Sequence, residues 1–407
     1  GLTNVAIGTP AGTLTMDHAF NYVGEQVVPV SGTLWQLIYD QRRQQLYISN
    51  ASANRIEIYS LTAQRLLSPI PAGKTPHGLS LTPDGSLLIA ANSGDGTVTI
   101  VNPDNPGGAM TIPVGTIGGG QPNEVATTNT GKAIVTYSPD LAEIDLTTHV
   151  VTYISDRHIY IPYLLMGTKD GSAVLCDCGT LGLWDSQTST WAFSALQGGG
   201  TFNGAISGDG NILAQGDYIL DPQLLITGQL AQWDFLPGPL TLSGGSDMLN
   251  SSGSLVYKAD LGADAINGTG VQIFDVNHGD LKEWVELPEA IPNNTQHRLT
   301  LDDSGRNLYV LTQSGFTAVH FTSVPLSVAY LKPNQGTAAG GTTVTIRGSG
   351  FETGCQAYFN DAPAATTFVD SQTLMVVTPK IISGAVQFRV QNPDGQVYSL
   401  DNSFSAQ

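Results

Sequence analysis

Apolar residues in this chain come in short runs, and one phrase keeps returning: an apolar run, a turn rich in Asp, Asn, Ser and Gly, then a second apolar run. Six copies read "LSLTPDGSLLIAAN", "VATTNTGKAIVTYS", "LLMGTKDGSAVLCD", "GAISGDGNILAQGD", "MLNSSGSLVYKA" and "LTLDDSGRNLYVLT". A seventh, "LIYDQRRQQLYISN", lacks the glycine. Alignment on the turn puts Arg43, Gly85, Gly131, Gly171, Gly210, Gly253 and Gly305 in one column, with Leu46, Leu88, Ile134, Val174, Leu213, Val256 and Leu308 three places on. Each copy predicts two strands joined by a hairpin. No segment shows the spacing of an amphipathic helix.

The copies stand about 40 to 50 residues apart, the size of one four-stranded propeller blade. A third strand follows in most, as in "VTIVNPD", "AEIDLTT" and "VQIFDVN", and Asp145, Asp185 and Asp275 close theirs where a short carboxylate can cap the next turn. Fourth strands follow, except in the last copy. A replacement stands near the start: "EQVVPVSGT" has the fourth-strand pattern, so residues 25–31 are expected to complete the last blade and seal the ring. The fold class expected is all-β: a seven-bladed β-propeller plus a C-terminal Ig-like β-sandwich.

On "LYISN", "PHGLSLTPDGSLLIAAN" and "GRNLYVLT", residues 25–325 resemble the YVTN-type β-propellers of bacterial and archaeal cell surfaces. The resemblance implies a seven-bladed ring exposed outside the cell, and no single activity. Residues 326–407 resemble an IPT/TIG domain through "LKPNQGTAAGGTTVTIRGSGF", "TLMVVTPK" and "GAVQFRVQNPDGQVYSLDNSF". There Gly340 and Gly341 are expected to turn the chain, Gly348 and Gly350 to supply positive φ before a buried Phe351, and residues 392–395 to form a hairpin turn.

The opening "GLTNVAIGTPAG" superimposes without a gap on "GAVQFRVQNPDG", so that Gly1 falls on Gly384 and Gly12 on Gly395. Residues 1–24 therefore read as the last hairpin of a second IPT/TIG-like domain. Three origins stay open: a longer native chain, a strand pair that docks on a neighbour and so allows self-association, or a chain trimmed at a convenient point.

Charge narrows the function. A net charge of −18 with 16 Lys and Arg repels phosphate backbones and anionic lipid, so nucleic acid is not an expected partner. No apolar run is long enough to cross a bilayer as a helix. Cys176 and Cys178, two apart on an expected strand, read as buried free thiols because the short backbone between them disfavours a bridge. Without a second C-x-C or a nearby His they make a poor zinc site.

Eight residues before each aligned turn, the chain should reach the mouth of a central channel. The positions are Trp35, His77, Asn123, Tyr163, Phe202, Gly245 and His297, with Glu124, Asn203 and Arg298 beside them. The blade-six insertion, with Asp260, Asp264 and Asn267, should fall on the same face. Aromatic faces and a few hydrogen-bonding groups suit a small molecule, glycan or peptide. The alternative is that these side chains only fill a watery channel and tie the blades together.

Glu124, Asn203 and Asp247 offer oxygens to calcium, as in sugar-lactonase-like propellers, but at no fixed spacing; no cofactor is expected and no metal site is assigned. No nucleophile elbow, phosphate loop or zinc-type histidine pair is present, so no catalytic residue is named. The leading expectation is a secreted or surface-attached bacterial or archaeal binding protein with IPT/TIG spacers, weighted against an enzyme. Two rivals are a lactonase-like hydrolase or lyase at the channel mouth, and a structural subunit of a surface layer or filament.

Overall fold

The computed structural model describes residues 3–9, 12–20, 23–115, 121–137, 140–156, 158–197, 204–230, 247–260, 269–292 and 297–407. From Val23 to Phe321 the described residues form seven antiparallel sheets. Their first strands are Leu34–Asp40, Pro76–Leu81, Val125–Thr127, Ile159–Gly167, Gly204–Ile206, Asp247–Leu249 and Leu299–Leu301. Six sheets use strands in chain order. The seventh runs Leu299–Leu301, Asn307–Thr312, Gly315–Phe321 and then Val23–Pro29, borrowed from the start of the chain. Gly24 stands opposite His320 and Val27 opposite Thr317, so the expected completion of the last sheet is found, set two residues earlier than 25–31.

Side-chain alternation explains how the sheets stack. In Leu88–Asn92, Leu88 and Ala90 enter a buried cluster with Tyr47 and Ile58 of the first sheet, while Ile89 and Ala91 enter another with Val125 and Val135 of the third. A strand buried on both faces reads as a continuous apolar run. In the seventh sheet, Leu308 and Val310 meet Leu255 and Val271 of the sixth, and Tyr309 and Leu311 meet Leu46 and Ile48 of the first.

The turn column behaves as the sequence suggests. Gly85, Gly131, Gly171, Gly210, Gly253 and Gly305 all have φ between +66° and +78°. In the copy without glycine the left-handed residue is Gln44, at φ +51°, next to the aligned Arg43. Asp145, Asp185 and Asp275 cap their hairpins by accepting backbone N–H bonds of 2.7 to 3.0 Å from residues two and three places on.

The fourth sheet corrects the reading of the cysteines. Its strand Ala173–Asp185 has thirteen residues, yet Ser186 N donates to Ser172 O at 3.0 Å. A straight strand of that length would part its ends by roughly 40 Å, so the chain doubles back, at Gly179 with φ +90°. The Cα atoms of Cys176 and Cys178 lie only 5.4 Å apart, closer than the roughly 6.6 Å of extended backbone, and their sulfurs are bonded. The two thiols are thus not free, because the backbone between them, assumed to be extended, is contracted. Cys355 is free and buried.

Residues 327–406 form two facing sheets. One orders Ser327–Lys332, Thr343–Ser349, Thr373–Val377 and Ala365–Asp370, and the other Gln335–Gly336, Val397–Ala406, Gly384–Gln391, Gln356–Phe359 and Ala362–Pro363. Val344, Ile346, Phe359, Phe388 and Phe404 fill the space between them. Gly350 has positive φ as expected, and the turn glycines Gly340 and Gly341 have it too, but Gly348 does not: a Cβ there would strike Ser327 O and the Phe351 ring, so glycine gives room instead. At the N-terminus, Thr3–Thr9 pairs with Gly12–Phe20 as a hairpin.

The sandwich is held against the hairpin ends of the fifth, sixth and seventh sheets. Asn277 Nδ2 donates to Val328 O and Ala329 O at 2.6 and 2.9 Å, Ser254 Oγ to Ser349 Oγ at 2.9 Å, and Tyr330 OH to Asp209. Gln372 Nε2 donates to Asp303 O.

Candidate functional site

A cavity of about 320 Å³ is lined by one residue or more from the first strand of every sheet, among them Leu37, Leu79, Val125, Leu165, Ile206, Leu249 and Leu299. It is the axial channel. Its mouth is where these strands begin, and its other end is where they turn into hairpins.

At the mouth, Trp35 and His77 stack with ring centroids 3.7 Å apart and planes within 4°. His77 Nδ1 lies 3.1 Å from Asn123 Oδ1, and its Nε2 lies 3.3 Å from Ser93 Oγ. Three sheets thus meet through residues that the sequence placed in one column. Gly78 makes the approach possible: its N–H donates to Asn123 O at 2.8 Å, and a Cβ would come within 2.7 Å of that oxygen and of Glu124 Cα. Burial lowers the His77 pKa, against the opposing pull of the Asn123 bond and the Glu124 charge. With both ring nitrogens engaged and the neutral form favoured, His77 is a platform.

The fourth predicted position, His297, meets a residue across the axis. His297 Nε2 of the seventh sheet lies 2.9 Å from Glu124 Oε2 of the third, and both side chains are buried. Arg298, next in sequence, is 2% exposed, and burial alone brings its guanidinium down to about 10. A carboxylate and an imidazole thus meet at the mouth end, and a desolvated cation follows next in the chain. This set can orient a ring nitrogen, move a proton and meet a developing negative charge.

The other predicted residues are only partly placed. Tyr163 belongs to Ile159–Gly167, but its side chain lies outside the described residues, as do Phe202, Asn203, Gly245, Asp264 and Asn267. Asp247 opens a described strand, without a described side chain. Sequence reasoning missed Asp177, which is buried near the mouth end of the fourth sheet. Its carboxyl is raised to about 6 by desolvation, against one backbone bond from Gly179. The "LCDCG" phrase carried the signal, a carboxylate inside an apolar strand.

The hairpin end is built differently. Lys169 Nζ of the fourth sheet meets Asp303 Oδ1 of the seventh at 2.6 Å, with the lysine half exposed. On the same end, under the sandwich, Asp275, His278 and Asp280 bring ligand atoms within 4.8 Å of one another. Asp275 there already accepts Ser327 Oγ at 2.6 Å and Tyr398 OH at 2.9 Å. Its D-x-x-H-x-D spacing was visible in the sequence but was read only as a turn.

Comparison with known proteins bears on both parts of the chain. The IPT/TIG domain family matches residues 326–406, and the family described as "Lactonase, 7-bladed beta-propeller" matches residues 36–127. No curated protein matches in sequence. Among solved structures, Kuenenia stuttgartiensis hydrazine synthase aligns at 14% identity and TM-score 0.55, covering 71% of this chain and 96% of its own. The β-propeller domain of Myceliophteria thermophila Cps50 (Swd1) aligns at 14% and 0.57, over 74% and 100% of the two chains. Streptogramin B lyase aligns at 13% and 0.57, over 74% and 98%. At these identities the likeness carries the fold alone: sheets of propeller type.

These findings correct the expectation weighted against an enzyme. The matched family is catalytic, and the Asp275, His278 and Asp280 group, which the sequence reading did not assign, places three ligand atoms where they could hold a cation. The absence of a nucleophile motif was a poor guide, because hydrolysis by activated water needs none.

Proposed function

We propose that the chain is a lactonase-like hydrolase acting at the mouth of a closed seven-bladed ring formed by residues 25–325. In this reading residues 326–407 are an IPT/TIG spacer and residues 1–24 belong to a second one, in a protein exposed at a cell surface. The observation that carries the proposal is the buried Glu124 and His297 pair, 2.9 Å apart across the channel.

Glu124 Oε2 lies 2.9 Å from His297 Nε2, and neither atom makes a hydrogen bond among the described residues, so in this reading the carboxylate steadies the imidazole by charge while the ring takes the proton. A sugar lactone is the substrate class, since the Trp35 and His77 stack offers a flat face and Asn123 an amide. Water attacks the acyl carbon as His297 takes its proton, and Arg298 meets the charge on the carbonyl oxygen. The ring C–O bond then breaks, and His297 returns the proton to the leaving oxygen. The product is a hydroxy acid.

The test is acid release from glucono-δ-lactone and simple aliphatic lactones, followed by pH-stat above the spontaneous rate. Glu124→Gln and His297→Asn should each lower kcat/KM by about a thousandfold. A wild-type rate equal to buffer would refute hydrolysis, and lactone binding without turnover would return the site to a binding protein.

A further inference from the structure

A second cavity, of about 460 Å³, lies at the seam where the seventh sheet meets the first, toward the hairpin ends. Its walls include Tyr39 and Tyr59 of the first sheet, Tyr309 of the seventh, and Gln26 of the borrowed strand Val23–Pro29. Tyr59 and Tyr309 are each 5% exposed, held by edge-on contacts with Phe316. Neither hydroxyl has a hydrogen-bond partner among the described residues, although both residues line the cavity. Tyr39 OH accepts from Gln44 Nε2 at 2.8 Å and keeps its own proton to donate. Burial raises the pKa of all three phenols, so they stay protonated donors.

Charge selects among ligands. No Lys or Arg lines the cavity, while Glu25 and Asp302 do, so an anion is repelled. An organic cation gains little, because Asp302 is already spent: it accepts from Ser304 Oγ, from the backbone N–H groups of Arg306 and Asn307, and from Asn307 Nδ2 at 2.7 to 3.1 Å. Phenol donors, aromatic faces and rim amides, beside one carboxylate, Glu25, whose pKa burial and the Glu286 charge raise, suit a neutral ligand rich in hydroxyl and ether oxygens.

We propose that the cleft between Tyr39, Tyr59 and Tyr309 binds a neutral saccharide of one or two rings. The site is separate from the channel mouth and does not depend on what happens there. Because Gly24, Glu25 and Gln26 form part of its wall, the sugar also bridges the borrowed strand to the first sheet.

Titration calorimetry of the full chain against glucose, maltose, cellobiose and lactose tests this, with choline and citrate as charged controls. At least one sugar should bind, and the Y59F/Y309F double variant, which keeps both rings, should weaken it roughly tenfold or more. Trp35→Ala at the channel mouth should leave that affinity unchanged. If the double variant melts early, Gln26→Ala at the exposed rim replaces it and should weaken binding severalfold. No sugar heat at about 10 mM would overturn the proposal. So would tighter binding of choline or citrate, or sugar affinity lost with Trp35→Ala and kept with the double variant.

Discussion

The two ends of the axial channel are each bridged by a pair of ionisable side chains that includes a residue of the seventh sheet, and the two pairs have opposite characters. At the mouth, Glu124 and His297 are both buried, beside a guanidinium held down to about 10. At the hairpin end, Lys169 is half exposed, and Asp303 also carries a bond from the sandwich through its carbonyl. Distance does not separate them, since 2.9 Å and 2.6 Å are both full contacts. Burial does. A desolvated pair is costly to disturb and able to do chemistry, whereas a solvated pair is a weak tie.

The largest effect that would break this comparison is on rate. The thousandfold loss expected for His297→Asn should have no counterpart at the other end, and Lys169→Met should change kcat/KM by less than about threefold. Equal losses would mean that the pairs act only as clasps.

Next comes the ring on which both pairs depend. Deleting residues 23–31 unpairs Gly315–Phe321 and exposes Val28 and Val30, at a cost of about 4 kcal/mol or more. The melting temperature should fall by on the order of 10 °C. An unchanged melt would show that the seam is not closed by this strand.

Asp177 sharpens the contrast through pH. Its carboxyl titrates near 3.8 when free and near 6 when buried, so the folded chain holds the extra proton between those values. The neutral form supports folding below about pH 4, and that support is lost as pH rises through 6. Asp177→Asn should therefore stabilise the protein by up to about 3 kcal/mol at pH 8 and by almost nothing at pH 4, read from denaturant melts. The smallest effect belongs to Asp303→Ala, expected to cost less than about 1 kcal/mol and to shrink further in high salt.

The turn column was readable in the sequence because six positions need a left-handed residue and glycine meets that need. The seventh copy met it with Gln44, which no compositional rule would single out. Trp35, His77, Asn123 and His297 were found by counting back from the same turns, since a repeat transfers position from one copy to the next. Their partners were not found that way. That His297 faces Glu124 rather than a neighbour depends on the width of the channel, and Asp275 was read as a cap although it also accepts two hydroxyls from the sandwich. The cysteines failed for a related reason: extended geometry was assumed where the backbone between them is contracted.

By itself, then, the order of residues determined the local elements: strand alternation, hairpin glycines, the capping aspartates, and the match between the first and last β-segments. These rest on backbone sterics and on a two-residue period, both of which act within one repeat. Tertiary structure alone decided which carboxylate is desolvated, which imidazole it meets, and where the seam leaves tyrosine hydroxyls facing a cleft. Those outcomes depend on contacts between sheets far apart in the chain, and burial, the quantity that sets their energy, exists only once the sheets have come together.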